Sequence, residues 1–262
     1  MIRILSFLSL FFFLNGCKKN VQSPSTISQN KLIWQDNFDG NKLKESNWNF
    51  DLGDGCPNNC GWGNNEKEIY TNNNYLVKDG LLTITAKLKD SVFTSTRITT
   101  KHKFNFTYGR IEVRAKLPIG KGVWPAIWML GSNIDQVGWP KSGEVDIMEY
   151  VGKNPGMIYT SIHTPQSFGN TINTKKTFFK NIESGFHIYA ANWTADKIEF
   201  YVDDTLVYTF IPKDKSPQVW PFNKPFYLLL NLAVGGNFGG PDIDKTIFPQ
   251  SFVIDYVRVY KN

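Results

Sequence analysis

The chain has 262 residues, 41% of them hydrophobic and 20% charged, with a formal net charge of +6. Its basic residues are spread along the sequence without blocks of like charge, which excludes a nucleic-acid footprint, since that requires clustered Lys and Arg. Once an N-terminal segment is set aside, the remaining length suits one domain with a large core.

Arg3 precedes an uninterrupted apolar run, residues 4–14, which is followed by Asn15, Gly16 and Cys17. A membrane-spanning helix needs roughly 20 apolar residues, so this shorter run reads as an export signal over residues 1–16. Gly16-Cys17 resembles a bacterial lipobox, although Asn15 is less usual there than a small or apolar residue. On that reading Cys17 becomes the lipidated first residue of an exported chain, anchored to a bacterial membrane on its periplasmic or cell-surface face. The alternative is an ordinary signal with Cys17 incidental. Lys18 and Lys19 then lie where anionic head groups would be. Residues 17–31, rich in Ser, Asn and Gln, read as a flexible tether, and residues 32–262 as the folded domain.

Cys56 and Cys60 are the two cysteines left within that domain. In an exported chain a pair this close invites a disulfide that staples a loop, and no further Cys or His stands nearby at zinc spacing. Beyond it, short alternating runs bounded by Gly, Pro, Asn and Asp recur with no long helical period, the pattern of an all-β sandwich. Strands are expected over 81–87, 110–116, 123–130, 144–151, 186–193, 197–202, 226–234 and 252–260. Asp203 and Asp204 form a hairpin turn between two of them. The Gly-rich stretch 235–240 follows no strand-to-helix transition and is a loop, not a phosphate cradle. Aromatic residues make up 15% of the chain, with eight Trp. Flat indoles stack on sugar C–H faces, although a large sandwich core also consumes aromatics.

Residues 143–150 read Gly-Glu-Val-Asp-Ile-Met-Glu-Tyr, three carboxylates within six residues on an apolar, strand-like background. Alternation puts Glu144 and Asp146 on one face and Val145 on the other. Strict alternation would bury Glu149. A β-bulge at Ile147-Met148 returns it to the acidic face, and bulges favour active sites. The two Glu side chains leaning inward then bring their carboxyls to about 5 Å, the separation used by retaining glycosidases. Three close carboxylates cannot all ionise cheaply, so a proton stays among them. Glu149 would carry it as general acid and later serve as base, Glu144 would attack the anomeric carbon, and Asp146 would orient Glu144. A solvated acidic edge, or a calcium site made of the same oxygens, is the competing explanation.

This run, residues 144–149, resembles the catalytic signature of glycoside hydrolase family 16 in its bulged form, as found in laminarinase-like endo-β-1,3-glucanases. The segments 108–114, 122–130, 186–193, 200–203, 231–236 and 255–260 resemble further family segments in the same order. The resemblance implies a jelly-roll β-sandwich of the concanavalin A-like kind, with a concave cleft for β-glucan polysaccharide. It implies retaining, internal cleavage of β-1,3 bonds without a chemical cofactor, by a protein expected to be monomeric. Trp124 and Trp128 share a face with Ala126 and are expected to line the cleft. Glu112 and Arg114 share a face opposite Ile111 and Val113, and the resemblance carries them over as contacts to donor-side sugars. Asn64 and Asn65 resemble a segment whose amide stands at the donor end, with the choice between them open. His163 is expected in the cleft beside the acid/base, whereas His102 and His187 read as structural or surface residues. A structural Ca2+ is implied on the convex side with Asp255 as ligand, although Asn37 replaces the acid often found in relatives. Competing functions are action on mixed-linkage glucan, agarose or carrageenan, and a non-catalytic sugar-binding lipoprotein.

Overall fold

The computed structural model describes residues 31–261. The expectations for the export signal, for lipidation at Cys17 and for most of the tether lie outside the described residues.

Two stacked sheets make up the domain. The first sheet has seven strands in the spatial order β12 (Thr174–Phe178), β11 (Met157–His163), β10 (Glu144–Tyr150), β9 (Val123–Gly131), β16 (Phe226–Val234), β7 (Arg97–Thr99) and β2 (Asn49–Asp51). The opposite sheet runs through β15 (Thr205–Phe210), β14 (Ile198–Val202), β13 (His187–Trp193), β8 (Gly109–Lys116), β17 (Gln250–Lys261), β5 (Leu81–Lys89), β6 (Val92–Ser95) and β3 (Glu68–Tyr70). Two further strands attach to it, β1 (Lys31–Asp36) on β17 and β4 (Tyr75–Lys78) on β5. The expected all-β sandwich is therefore the fold, and each of the eight expected strands is present. The strands the sequence reading passed over include β2, β3 and β7, only three residues each, too short for alternation to register.

Alternation accounts for the core. On β8, Ile111, Val113 and Ala115 are buried, while Arg110, Glu112 and Arg114 point outward. On β10, Val145, Ile147 and Met148 enter the same core, which they share with Ile111 and Val113. Trp48, Trp193 and Trp220 are core residues and Trp34 packs against them. The other four indoles, Trp62, Trp124, Trp128 and Trp139, serve the face that bears the acids. The surplus of Trp is thus divided evenly between packing and the cleft.

Two glycines hold the site in place. Gly143, just before β10, has φ +79, and a Cβ there would lie 2.8 Å from Pro221 and 3.1 Å from the rings of Phe222 and Phe226. Gly236 has φ +76, and a Cβ would come within 2.8 Å of the Asn64 carbonyl oxygen. Only a residue without Cβ tolerates both the backbone conformation and the close approach.

Candidate active site

The bulge expected at Ile147-Met148 is present. Asp146 pairs with Trp128 of β9, the next pair is Met148 with Ile127, and Glu149 then pairs with Ala126. Toward β11 the register jumps from Asp146–Ser161 to Glu149–Tyr159. Ile147 and Met148 are both fully buried, so the extra residue goes into the core and Glu149 returns to the face of Glu144 and Asp146.

Glu144 and Glu149 each have their own indole. Trp139 Nε1 donates to Glu144 Oε2 at 2.9 Å, and Trp124 Nε1 donates to Glu149 Oε1 at 3.0 Å. His163 lies opposite Glu144 in register, with Nε2 3.0 Å from Asp146 Oδ2 and 3.7 Å from Glu144 Oε1. It therefore stands at the Glu144 end of the site, a correction to the expectation that it flanks the acid/base: antiparallel pairing sets Tyr159, not His163, across from Glu149.

Burial dominates the electrostatics. It pushes the Glu144 carboxyl up to about 8, helped by the charge of Asp146 and opposed by His163 and the Trp139 N–H. Burial likewise pushes Asp146 up to about 7, opposed by its hydrogen bond with Glu144. Glu149 is held well above the usual carboxylate range, first by burial and then by the charge of Asp146, against the pull of His163 and the Trp124 N–H. At neutral pH the trio retains protons and titrates as a unit.

Beside the acids, Trp128 Nε1 donates to Asn231 Oδ1 at 2.8 Å, and Asn231 Nδ2 donates to the Tyr70 hydroxyl at 3.0 Å. The Tyr70 hydroxyl donates to Glu66 Oε2, and Asn64 Nδ2 donates to Glu66 Oε1, each at 3.1 Å. Asn64 thus belongs to the network around Trp128. Asn65 turns away and donates to Asn237 Oδ1 at 2.7 Å. The loop leading to both is closed by a Cys56–Cys60 disulfide.

Sequence reasoning missed two cleft residues. Arg97 lies on β7, with its guanidinium 4.4 Å from the Trp62 ring centre and 4.8 Å from that of Trp128, and it pairs with Asp51 at 2.9 Å. Asp51, Trp62 and Arg97, together with Tyr227 and Leu130, line a hollow of about 230 Å³. Trp139, the partner of Glu144, was missed because it sits in a loop with no periodic pattern. A separate hollow of about 800 Å³, bordered by Lys121, Tyr150 and Lys153, contains none of the three acids.

Two expected roles are corrected. Glu112 and Arg114 lie on the outer face of the opposite sheet, with the core between them and the acids, so they do not reach the cleft. Glu112 accepts from Arg110 Nε at 2.7 Å, and Arg114 pairs with Asp255 and stacks on Phe186 at 4.7 Å. Asp255, expected as a Ca2+ ligand, lies on the outer face and pairs with Arg114. His102 and His187 pair with Asp135 and Asp203 at 3.6 and 2.8 Å, away from the acids.

The family model for glycosyl hydrolases family 16 matches residues 61–258. A β-glucanase from Rhodothermus marinus is 39% identical over 250 residues, spanning 88% of this chain and 85% of the relative. The crystal structure of a laminarinase from Flavobacterium sp. UMI-01 superposes with a TM-score of 0.87 at 60% identity, covering 88% of this chain and all of that one. The laminarinase catalytic domain from Thermotoga maritima MSB8 gives 0.83 at 41% identity, covering 88% of this chain and 98% of its own.

Proposed function

Because the chain belongs to the glycosyl hydrolases of family 16, we propose that it cleaves internal β-1,3 bonds of laminarin-type glucans by double displacement. One observation carries this reading: the bulge sets Glu144 and Glu149 on one face, each holding an indole N–H.

The roles follow from their surroundings. Glu149 keeps its proton through burial and passes it to the leaving glycosidic oxygen as the C–O bond breaks. Glu144 supplies the electron pair that bonds to the anomeric carbon, and its charged form is favoured by the Trp139 N–H and by His163. Once Glu144 is esterified its charge is gone. Glu149, now ionised, takes a proton from water, whose oxygen displaces Glu144 and restores the starting anomer. One water and two carboxylates balance the reaction, so the chemistry asks for no cofactor.

Stereochemistry tests the mechanism. Proton NMR of the earliest products should show the β anomer, and an initial α anomer would refute double displacement. Product profiles on linear β-1,3-glucan, mixed-linkage glucan and agarose test the substrate, with the first expected to be cut fastest.

Export and lipid anchoring at Cys17 belong to the same proposal, supported by the apolar run 4–14 and the Gly16-Cys17 pair. Cys17→Ser should release the protein from membranes, and unchanged retention would reject the anchor.

A further inference from the structure

We propose that the Glu144 end of the cleft also binds one divalent transition-metal ion of the Zn2+ or Cu2+ kind, held by Glu144, Asp146 and His163. The binding stands on geometry alone; that such an ion blocks hydrolysis rests on the reading of Glu144 as nucleophile.

One ligand atom from each of the three residues lies within 4.8 Å of the others. Two neighbouring strands create this juxtaposition. Glu144 and Asp146 share a face of β10, and His163 of β11 is paired directly across from Glu144. His163 Nε2 and Asp146 Oδ2 are 3.0 Å apart, yet Asp146 Oδ2 is buried without a hydrogen bond, because the two groups are not aligned for one. The Asp146 side chain is only 6% exposed, so that oxygen is a buried acceptor that no protein donor satisfies. Two atoms bound to one zinc at about 2.1 Å each stand roughly 3.0–3.7 Å apart for angles of about 90–125°. The observed 3.0 and 3.7 Å separations of Nε2 from Asp146 and Glu144 fall in that interval.

The donor set decides which metal. One imidazole and two carboxylates suit Zn2+ and Cu2+, whereas Mg2+ and Ca2+ favour all-oxygen shells. Affinity is limited by the second shell. His163 Nδ1 is buried and no protein group hydrogen-bonds to it, so the ring lacks the protein brace of a resident metal centre. The ion is therefore an exchangeable inhibitor: with its electron pair on the metal, Glu144 cannot attack the sugar.

The test uses the full chain carrying Cys17→Ser, which removes the thiol outside the disulfide, together with His102→Gln and His187→Gln, which remove the other imidazoles. Calorimetric titration with Zn2+ should give one equivalent bound. Adding His163→Gln, or separately Asp146→Asn, should weaken binding by at least about 10-fold, with circular dichroism checking the fold. Cu2+ bound to the parent should show nitrogen coupling from one imidazole in its electron paramagnetic resonance spectrum, a readout that needs no variant at the site. Zn2+ should lower the apparent kcat on β-1,3-glucan, EDTA should reverse the effect, and Mg2+ at the same concentration should have none. Absence of binding, a spectrum without imidazole nitrogen, or equal Zn2+ affinity in parent and both variants would overturn the site. If Glu144→Ser retained hydrolysis while Zn2+ still bound the parent and bound that variant more weakly, the nucleophile assignment would fail and the metal site would survive.

Discussion

The outer faces of β8 and β10 are built by the same alternation, but their charges are arranged in opposite ways. On β8, Arg110 meets Glu112 and Arg114 meets Asp255, so each of these charges has a neighbour of opposite sign. On β10, Glu144, Asp146 and Glu149 are like charges under indoles, and burial raises all three carboxyls. The first arrangement is what a solvated surface needs. The second costs stability and persists where chemistry uses the retained proton. Charge on a strand is therefore informative only together with the sign and burial of what lies beside it.

The largest expected effects fall on β10. Glu144→Ser should lower hydrolysis of β-1,3-glucan by at least about 10³-fold, yet it should couple an α-glycosyl fluoride to an acceptor, because the fluoride replaces the missing intermediate. Glu149→Ala should lose about 10²–10⁴-fold on natural glucan, with azide accelerating turnover of substrates that have good leaving groups and giving a β-linked azide. Product analysis separates the two outcomes, and equal behaviour of both variants would refute the assigned roles.

A smaller effect is expected one contact away. Trp139→Phe removes a hydrogen bond to a charged group, a loss of about 1.5–3 kcal/mol that should cut kcat by about 10–100-fold. That bond holds the Glu144 carboxyl down, so its loss should move the acid limb of the pH–rate profile to higher pH. A parallel loss of rate with an unmoved limb would assign Trp139 to sugar stacking alone.

Stability should sharpen the contrast. A carboxyl whose folded pKa is raised costs nothing below its unfolded value of about 4.5 and destabilises progressively as pH rises toward the folded value of about 8. Glu144→Gln should therefore raise Tm at pH 7, by the equivalent of about 1 kcal/mol or more, and leave it unchanged near pH 4, as calorimetry across pH would show. The smallest effect is expected on β8. Glu112→Ala and Arg114→Ala should leave kcat/KM within about two-fold and stability within about 1 kcal/mol, as for exposed ion pairs. Loss of activity in either would return those residues to the cleft.

Much of the site was legible before the fold. Three acids at positions 144, 146 and 149 do not fit a period of two, so their common face required an extra residue, and the bulge was placed from that mismatch alone. The pairing of Trp124 and Trp128 on one face followed from the same period.

Alternation tells which side chains share a face, because it arises from the backbone of the strand itself. It does not tell which sheet the strand joins, because that depends on hydrogen bonds to residues far away in sequence. Glu112 and Arg114 were correctly grouped and wrongly located for this reason: β8 pairs with β13 and β17, not with β9 or β10. Arg97 reaches the cleft because β7 is registered against β16, some 130 residues later, where Asn231 is its partner. The choice of Asn64 over Asn65 likewise waited for Glu66, Tyr70 and Asn231 to be assembled around Trp128. The acid strand and its bulge were local consequences of residue order, whereas the cleft wall is a product of pairing between distant strands.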